Sequence, residues 1–287
     1  MSLQLSLNLR WFLAASYRTF WSVIFWLLFG KNWLAKLKYY SKFNLLRRLL
    51  EILFVGFALG RIGEMVYSKL PRGNIALQPS GSDAAIITRE IYFEQVYDRF
   101  YRMQSDDIVV DIGAHVGLFT LKVAKSVKLV LAVEPHPFNY RLLTMNIALN
   151  KLENVIPVKL AFSSYSGKAK LYLRSTVTHT LKDQIFGLES GETLEVEVET
   201  LDRLIDELRL NKVTFVKIDV ESAELDVLKG VTKTLEENNV FLAIATYHTP
   251  ESVQEVSRYL QEKGFRTFSL FQYVYAFKPN CCHEHRV

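Results

Sequence analysis

The chain has 287 residues, of which 49% are hydrophobic, so it is long enough to bury a hydrophobic core and carry an extension. Its formal net charge is +5, and its only cysteines are the adjacent Cys281 and Cys282. A vicinal disulfide would be strained, which excludes a disulfide framework and makes a reducing compartment the default.

The charge is distributed unevenly along the chain. Residues 1–72 hold eleven Lys or Arg against two Glu, a net charge of +9, which leaves −4 for the remainder. All four tryptophans also lie in this first quarter. A nucleic-acid-binding arm is usually polar between its charges, whereas this region is apolar, so we expect contact with an anionic membrane surface and no nucleic acid.

The N-terminal region, residues 1–72, is predicted to be helical and to be a membrane anchor. From Trp11 to Phe29 the polar residues are Ser16, Arg18, Thr19 and Ser22, and this length is sufficient to span a bilayer. Arg18 opposes insertion by about 2.5–3.5 kcal/mol near the centre of a span. Basic residues from Lys31 onward predict that this side, and the rest of the chain, faces the cytoplasm. The alternative is a pair of helices packed on the domain.

A linker and a helix precede the predicted main domain, residues 83–280. Pro and Gly punctuate residues 70–82, which predicts the linker. Apolar spacing between Asp83 and Met103 predicts a helix. We expect Glu90, Tyr92 and Phe93 on this helix to face a ligand cleft, as helices that precede a domain of this class often do. Residues 281–287 are expected to form a tail.

From Ile108 the pattern alternates between strand and helix, which predicts an α/β fold: a mostly parallel sheet with helices on both faces. The strands are predicted near 108–112, 129–134, 154–160, 213–219 and 239–247, and the helices near 116–126, 137–150, 201–209, 222–237 and 250–263. Residues 169–173 and 194–198 predict an inserted hairpin, and 266–277 an antiparallel closing pair.

The first strand runs into a turn that predicts a nucleotide site. Asp111 is followed by Gly113 and Gly117 and then by an amphipathic helix. Glycines are needed where the backbone approaches a ligand closely. His115 and Leu118 occupy two glycine positions of the dinucleotide fingerprint, which argues against a pyrophosphate.

The second strand ends in Glu134-Pro135, and a carboxylate there suits the two hydroxyls of a ribose. One strand, one helix and one strand fit the separation between Asp111 and Glu134. Both carboxylates are therefore expected at the same edge of neighbouring parallel strands.

Four motifs in this order resemble the FkbM-type family of S-adenosylmethionine-dependent methyltransferases. They are Asp111 to Gly117, Glu134 to Pro137, Thr200 to Asp202, and Lys217 to Glu224. The resemblance covers roughly Arg89 to Phe277. It implies the class I methyltransferase fold, a doubly wound Rossmann-like sheet of seven strands with an antiparallel last hairpin. It also implies S-adenosylmethionine as cofactor and methylation of a hydroxyl on a sugar, glycan or other small metabolite.

The resemblance also implies which residues bind the cofactor. These are Asp111, Gly113, Ala114, His115, Gly117, Glu134 and Pro135. His115 stands where the family usually has Asn, and its ring can still donate to a cofactor carboxylate. Ser164 replaces the Asp or Asn that the family commonly directs at the adenine, which leaves Phe162 and Ser163 as the expected neighbours.

Asp219 and Glu221 end the fourth strand and are candidates for positioning the acceptor and removing its proton. Together with Glu224 they would repel one another unless a cation or a raised pKa relieves them, and no metal ligand is assigned. The alternative is helix capping, with Ser222 as a cap. Ser222 replaces a usual family glycine.

His248 follows the fifth strand, has a family counterpart and is a candidate general base. The chain is therefore predicted to be a methyltransferase. A membrane-bound module that binds the cofactor without catalysis is the first alternative, and a nucleotide-dependent oxidoreductase is the second, which His115 and Leu118 disfavour.

Overall fold

A computed structural model describes residues 59–62, 65–79, 83–173, 179–181, 192–210, 212–247 and 251–279. The predicted membrane run at 11–29, the candidate base His248 and the tail at 281–287 lie outside these ranges. Among the described residues, no helix is both long and apolar enough to cross a membrane.

The described chain contains fourteen strands in three sheets. In chain order they are β1 (Leu59–Ile62), β2 (Met65–Lys69), β3 (Ile75–Pro79), β4 (Ile108–Ile112), β5 (Leu129–Val133), β6 (Val155–Val158), β7 (Ala161–Phe162), β8 (Gly167–Leu173), β9 (His179–Thr180), β10 (Thr193–Glu199), β11 (Phe215–Ile218), β12 (Phe241–Ala245), β13 (Arg266–Leu270) and β14 (Tyr273–Phe277).

Seven α-helical segments accompany them. They are α1 (Asp83–Thr88), α2 (Leu118–Val123), α3 (Pro137–Leu149), α4 (Leu201–Glu207), α5 (Glu224–Lys229), α6 (Thr232–Glu237) and α7 (Ser252–Glu262). A wider helical turn, Arg89–Glu94, continues α1, and short 3-10 turns lie at Pro71–Gly73 and Ala124–Ser126.

The central sheet has seven strands in the order β13-β14-β12-β11-β4-β5-β6. The five strands from β12 to β6 are parallel, while β14 pairs antiparallel with both β12 and β13. Strand order reverses between β4 and β11, and ligands bind at such a switch point in open α/β sheets. The predicted fold class, including the antiparallel closing pair, is confirmed.

The central strands are buried on both faces. Every residue of β4, β11, β12 and β14 is buried, as expected for strands that read as apolar runs. On one face, the stacked rings of Phe119, Phe215 and Phe241 form part of one core cluster, with ring centroids 5.9 and 5.7 Å apart. A second cluster around Leu228 and Leu260 fills the other face. The sheet is thus a rigid platform for its strand ends.

The predicted hairpin is present as β8 and β10, which pair antiparallel from Gly167↔Val198 to Tyr172↔Thr193. β10 also pairs with β7 in parallel, and β9 adds to β8. This four-stranded sheet packs around its own small cluster, which includes Leu171 and Val196.

Two predictions are wrong at residues 59–79: that the helical region continues to residue 72, and that a linker occupies residues 70–82. In the structure, β1, β2 and β3 form an antiparallel sheet there. Helix α3 supplies the reason through two asparagines one turn apart. Asn146 accepts from the Leu77 amide at 2.7 Å and donates to its carbonyl at 3.0 Å. Asn150 bonds both backbone groups of Ile75 in the same way, at 2.8 and 2.6 Å. Their amides substitute for a neighbouring strand along β3.

Two predicted helices are shorter in the structure. The helix expected at 83–103 ends at Glu94, because Gln95 adopts a left-handed conformation with φ 54°. The helix expected at 222–237 is divided into α5 and α6 at Gly230. A Cβ at Gly230 would lie 2.0 Å from the Ser163 carbonyl oxygen, so this close approach requires glycine.

Candidate active site

A cavity of about 630 Å³ opens at the carboxyl ends of β4, β5 and β11. Its volume is in the range of small-molecule sites, and its place at the strand-order reversal is where open α/β sheets bind ligands. The turn after β4, the end of β5, the loop after β11 and the helical turn at 89–94 all contribute to its lining.

The turn after β4 is held by bonds within the protein. The amides of Gly113 and Ala114 donate to the Val133 carbonyl at 3.0 and 2.9 Å, and the His115 amide donates to Glu134 Oε2 at 2.9 Å. Ala114 and His115 line the cavity, as predicted. Since these three amides are engaged, the turn presents side chains and a shaped backbone surface to a ligand.

Gly113 is required by the protein's own backbone. Its φ is 74°, and a Cβ would lie 1.9 Å from the carbonyl oxygen of Asp219, at the end of β11. At Gly117, with φ 88°, a Cβ would meet a Leu143 methyl group at 2.6 Å. The glycines that the sequence assigned to close ligand approach are thus explained by backbone conformation and by packing inside the protein.

Asp111 is fully buried beneath the turn. Its Oδ2 accepts a bond from the Thr120 hydroxyl at 2.6 Å, and its Oδ1 lies 2.9 Å from Lys217 Nζ. Asp111 and Lys217 are register partners on the adjacent strands β4 and β11. Lys217 also donates to the Gly113 carbonyl at 2.7 Å. Asp111 is not among the residues that line the cavity, and within the protein it supports the turn. Its contact with a cofactor stays a prediction.

Glu134 joins the turn to the end of β5. Besides the His115 amide, its carboxylate accepts the His136 amide at 3.0 Å through Oε1. Burial raises the pKa of Glu134 to about 7, although these two amide bonds act in the opposite direction. Glu134 and Pro135 both line the cavity, so this carboxyl group is accessible to a ligand that binds there.

Phe162 lines the cavity, while Ser163 supports it from behind. The Ser163 amide donates to the Glu199 carbonyl at 3.1 Å, and its own carbonyl oxygen lies against Gly230. Of the two neighbours predicted for an adenine, Phe162 lines the cavity and Ser163 is not among the lining residues. The contact with an adenine stays a prediction.

Asp219 is bonded by two phenols. Tyr97 donates to its Oδ2 at 2.6 Å, and Tyr247 donates to its Oδ1 at 3.3 Å. The Tyr273 ring packs edge-on against both tyrosines. Burial, followed by the charge of Asp219, raises the pKa of Tyr97 far above its ordinary value, so this phenol remains a neutral donor.

Glu221 and Ser222 follow in consecutive left-handed conformations, with φ 54° and 82°. Non-glycine residues seldom adopt this region, and such strain is concentrated at functional sites. It also explains why a glycine suits position 222. Glu221 lines the cavity, whereas Glu224 turns back to accept the Ser222 amide at 3.0 Å and is buried.

Glu90 reaches the cavity from the helical turn after α1, as expected, while Tyr92 and Phe93 belong to the core cluster. Burial, and less strongly the charges of Glu94 and Asp219, raise the pKa of Glu90 to about 7 against the lowering effect of Arg89. Within the described ranges, no group of three His, Cys, Asp or Glu has the geometry to hold a metal ion.

The structure thus brings together most of the site residues that the sequence predicts. The lining includes Gly113, Ala114, His115, Glu134, Pro135, Phe162, Asp219 and Glu221. Sequence reasoning missed Tyr97, Tyr247, Tyr273 and Lys217. Lys217 had a signal, since a lysine inside an apolar strand must be paired. The tyrosines had none, because only the tertiary fold brings them to Asp219.

The contact between Gly113 and Asp219 can be tested against a glycine with the same backbone conformation. Gly113→Ala is expected to destabilise the protein by about 4 kcal/mol or prevent folding, since it combines a left-handed alanine with a backbone clash. Gly264 has φ 81° and no atom within 4 Å of a Cβ, so Gly264→Ala should cost only about 1 kcal/mol. Urea unfolding measures both; equal losses would show that the Asp219 contact does not constrain the turn.

Comparison with known proteins identifies a family of methyltransferases. The family model described as the methyltransferase FkbM domain matches residues 111–267, more than half of the chain. Methyltransferase sdnD of Sordaria araneosa is 31% identical over 215 residues, which cover 64% of this chain and 82% of that protein. The hexuronic acid methyltransferase AglP of Haloferax volcanii is 27% identical over 167 residues, covering 57% and 65%.

A crystal structure of a methyltransferase FkbM from Methylobacillus flagellatus KT aligns with a TM-score of 0.46 and 18% identity, over 68% of this chain and 52% of that one. The family match covers the turn after β4, the ends of β4, β5 and β11, and the helices between them. This chain therefore belongs to the FkbM family of methyltransferases, and its methyl donor is S-adenosylmethionine.

Proposed function

We propose that this protein transfers a methyl group from S-adenosylmethionine to a hydroxyl oxygen of a sugar, glycan or other small metabolite. The observation that carries the proposal is the position of Asp219 and Glu221, which line the same cavity as the turn at 113–115 and Glu134. One cavity therefore offers a donor side and an acceptor side with carboxylates between them. The sugar acid named for the Haloferax relative supports a hydroxylated acceptor.

On the donor side, the residues present fit the cofactor. Glu134 offers a buried carboxylate to ribose hydroxyls, and Phe162 offers an apolar surface to the adenine. The His115 ring is the side chain that the turn presents to the amino-acid part. When bound, S-adenosylmethionine supplies a methyl group on a positively charged sulfur.

On the acceptor side, the chain's task is to orient a hydroxyl and to take its proton. Asp219 is braced through both oxygens by Tyr97 and Tyr247, which suits it to a positioning role. Glu221, in its strained conformation at the cavity wall, is the carboxylate that we assign to receive the proton. His248, which follows Tyr247, is the alternative base.

The strained pair at 221 and 222 favours catalysis over a binding module. Left-handed non-glycine residues cost about 1–3 kcal/mol each, and a site that only binds the cofactor at Glu134 has no need of them.

Replacing Glu221 separates an enzyme from a binding module. Glu221→Gln should lower methyl transfer at least about 100-fold, because a positioned base contributes that much, while affinity for S-adenosylhomocysteine stays within about twofold. Transfer of labelled methyl is measured with neutral hexosides, hexuronates, cell extract and total tRNA as acceptors, and binding by calorimetry. Asp226→Asn, in the exposed part of α5, is the control. Unchanged transfer in Glu221→Gln rules out Glu221 as the base, and a wild-type protein that binds no S-adenosylhomocysteine refutes the proposed function.

The pKa of Glu134 predicts a pH dependence of cofactor binding. Its carboxylate accepts ribose hydroxyl bonds best in the ionised form, and protonation below pH 7 removes the charge and weakens the group as an acceptor. Affinity for S-adenosylhomocysteine should therefore be constant above about pH 8 and fall by up to about tenfold per pH unit below 7. Glu134→Gln should bind more weakly at pH 8 and lose this dependence. A flat wild-type profile between pH 5.5 and 8 contradicts the assignment of Glu134.

We also propose that the N-terminal region attaches the protein to a membrane from the cytoplasmic side. The support is its sequence, which combines a charge of +9 over residues 1–72 with the apolar run from Trp11 to Phe29. Because residues 65–79 belong to the folded part, the informative deletion is residues 1–58. It should move the protein from the membrane fraction to the supernatant on ultracentrifugation; the same distribution for both forms refutes the attachment.

A further inference from the structure

One side of the cavity is an acid–tyrosine wall of two carboxylates and three phenols. Its members are Glu90, Tyr97, Asp219, Tyr247 and Tyr273, and all of them line the cavity. Tyr97 and Tyr247 bond the two oxygens of Asp219, and the Tyr273 ring lies 5.5 and 5.7 Å from their ring centroids. Four members of the wall are thus in direct contact, and Glu90 lies close enough for the charge of Asp219 to act on it. The wall is assembled from the helical turn at 89–94, the turn that follows it, the loops after β11 and β12, and β14.

The charged side chains around the cavity carry a surplus of negative charge. Five described lining residues are acidic: Glu90, Glu94, Glu134, Asp219 and Glu221. Two are basic, and both form ion pairs within the protein. Arg89 pairs with Glu94 at 3.1 Å and more distantly with Glu90 at 3.8 Å, and Lys217 pairs with Asp111 at 2.9 Å. A cleft lined by one sign of charge attracts ligands of the opposite sign.

The tyrosines of the wall hydrogen-bond the Asp219 carboxylate without cancelling its negative charge. The bonds that Asp219 accepts from Tyr97 and Tyr247 come from neutral hydroxyls, so they orient the carboxylate without neutralising it. Burial, and then the charge of Asp219, raises the pKa of Tyr247 far above its ordinary value, so it stays protonated. The Tyr97 ring already has a cation near its face, with Lys217 Nζ 5.1 Å from the ring centroid.

The wall lies next to the turn after β4. The Asp219 carbonyl oxygen packs directly on Gly113, so the Asp219 side chain stands beside the turn and faces the same cavity. The methyl donor carries a positive charge on its sulfur, whereas its product, S-adenosylhomocysteine, has a neutral sulfur. The two molecules otherwise differ by one methyl group.

We propose that Asp219 and Glu90 recognise the positive charge of the sulfonium, so that the acid–tyrosine wall distinguishes the methyl donor from the spent product. Since this rests on the proposed function, it concerns the same site. Loss of the charge on methyl transfer removes the wall's attraction, which favours release of the product and its replacement by a new donor molecule.

Calorimetry with three ligands tests the proposal without any acceptor. The ligands are S-adenosylmethionine, S-adenosylhomocysteine and sinefungin, which carries a protonated amine in place of the sulfonium. Titrations are run at pH 8, because burial raises the pKa of Glu90 to about 7 and both wall carboxylates are then ionised. The wild-type protein should bind the two cationic ligands about tenfold more tightly than S-adenosylhomocysteine.

Asp219→Asn should remove about tenfold of the affinity for the cationic ligands and leave that for S-adenosylhomocysteine within about twofold. Glu90→Gln, at a partly exposed position, should act in the same direction, so it decides the matter if Asp219→Asn fails to fold. Tyr97→Phe keeps both charges and should preserve the ratio of the two affinities.

A ratio of affinities that stays the same in Asp219→Asn and Glu90→Gln overturns the recognition of charge, as does an equal loss for all three ligands. Failure of the wild-type protein to bind S-adenosylhomocysteine is a different result, since it removes the proposed function itself.

Discussion

The buried ion pair between Asp111 and Lys217 is the interaction on which the site depends. The two residues are register partners on β4 and β11, and both side chains are excluded from solvent. Breaking such a pair leaves an uncompensated charge and typically costs about 3–5 kcal/mol. Lys217 also bonds the Gly113 carbonyl, and Gly113 in turn packs on the Asp219 carbonyl. The turn after β4 and the carboxylate of Asp219 after β11 are therefore fixed to each other by the sheet.

The two sides of the cavity are built in different ways. On the donor side, neighbouring segments of one β-α-β unit make short-range bonds, such as those from His115 and His136 to Glu134. On the other side, the wall assembles tyrosines and acids from positions as distant as Glu90 and Tyr273, both outside the range matched by the family model. One part of the cavity thus depends on local contacts, and the other depends on the tertiary fold.

Sequence periodicity predicted the central strands, the closing hairpin and the two carboxylates Glu134 and Asp219, because buried strands and their ends have a local signature. Sequence periodicity could not predict features that depend on tertiary contacts. β3 pairs with β2 on one edge and is bonded on the other by Asn146 and Asn150, which are distant in sequence. Helix α5 ends where Gly230 meets Ser163. The buried ion pair of Asp111 with Lys217 joins residues more than 100 positions apart, so no local pattern indicates it.

The central claim is that the turn at 113–115, Glu134 and the carboxylate of Asp219 surround one donor molecule. A crystal structure of the full chain with S-adenosylhomocysteine tests it most directly. We expect the ribose hydroxyls within hydrogen-bond distance of Glu134, the adenine against Phe162 and the sulfur on the side of Asp219. A ribose bound away from Glu134, or a sulfur turned away from Asp219, would contradict this arrangement.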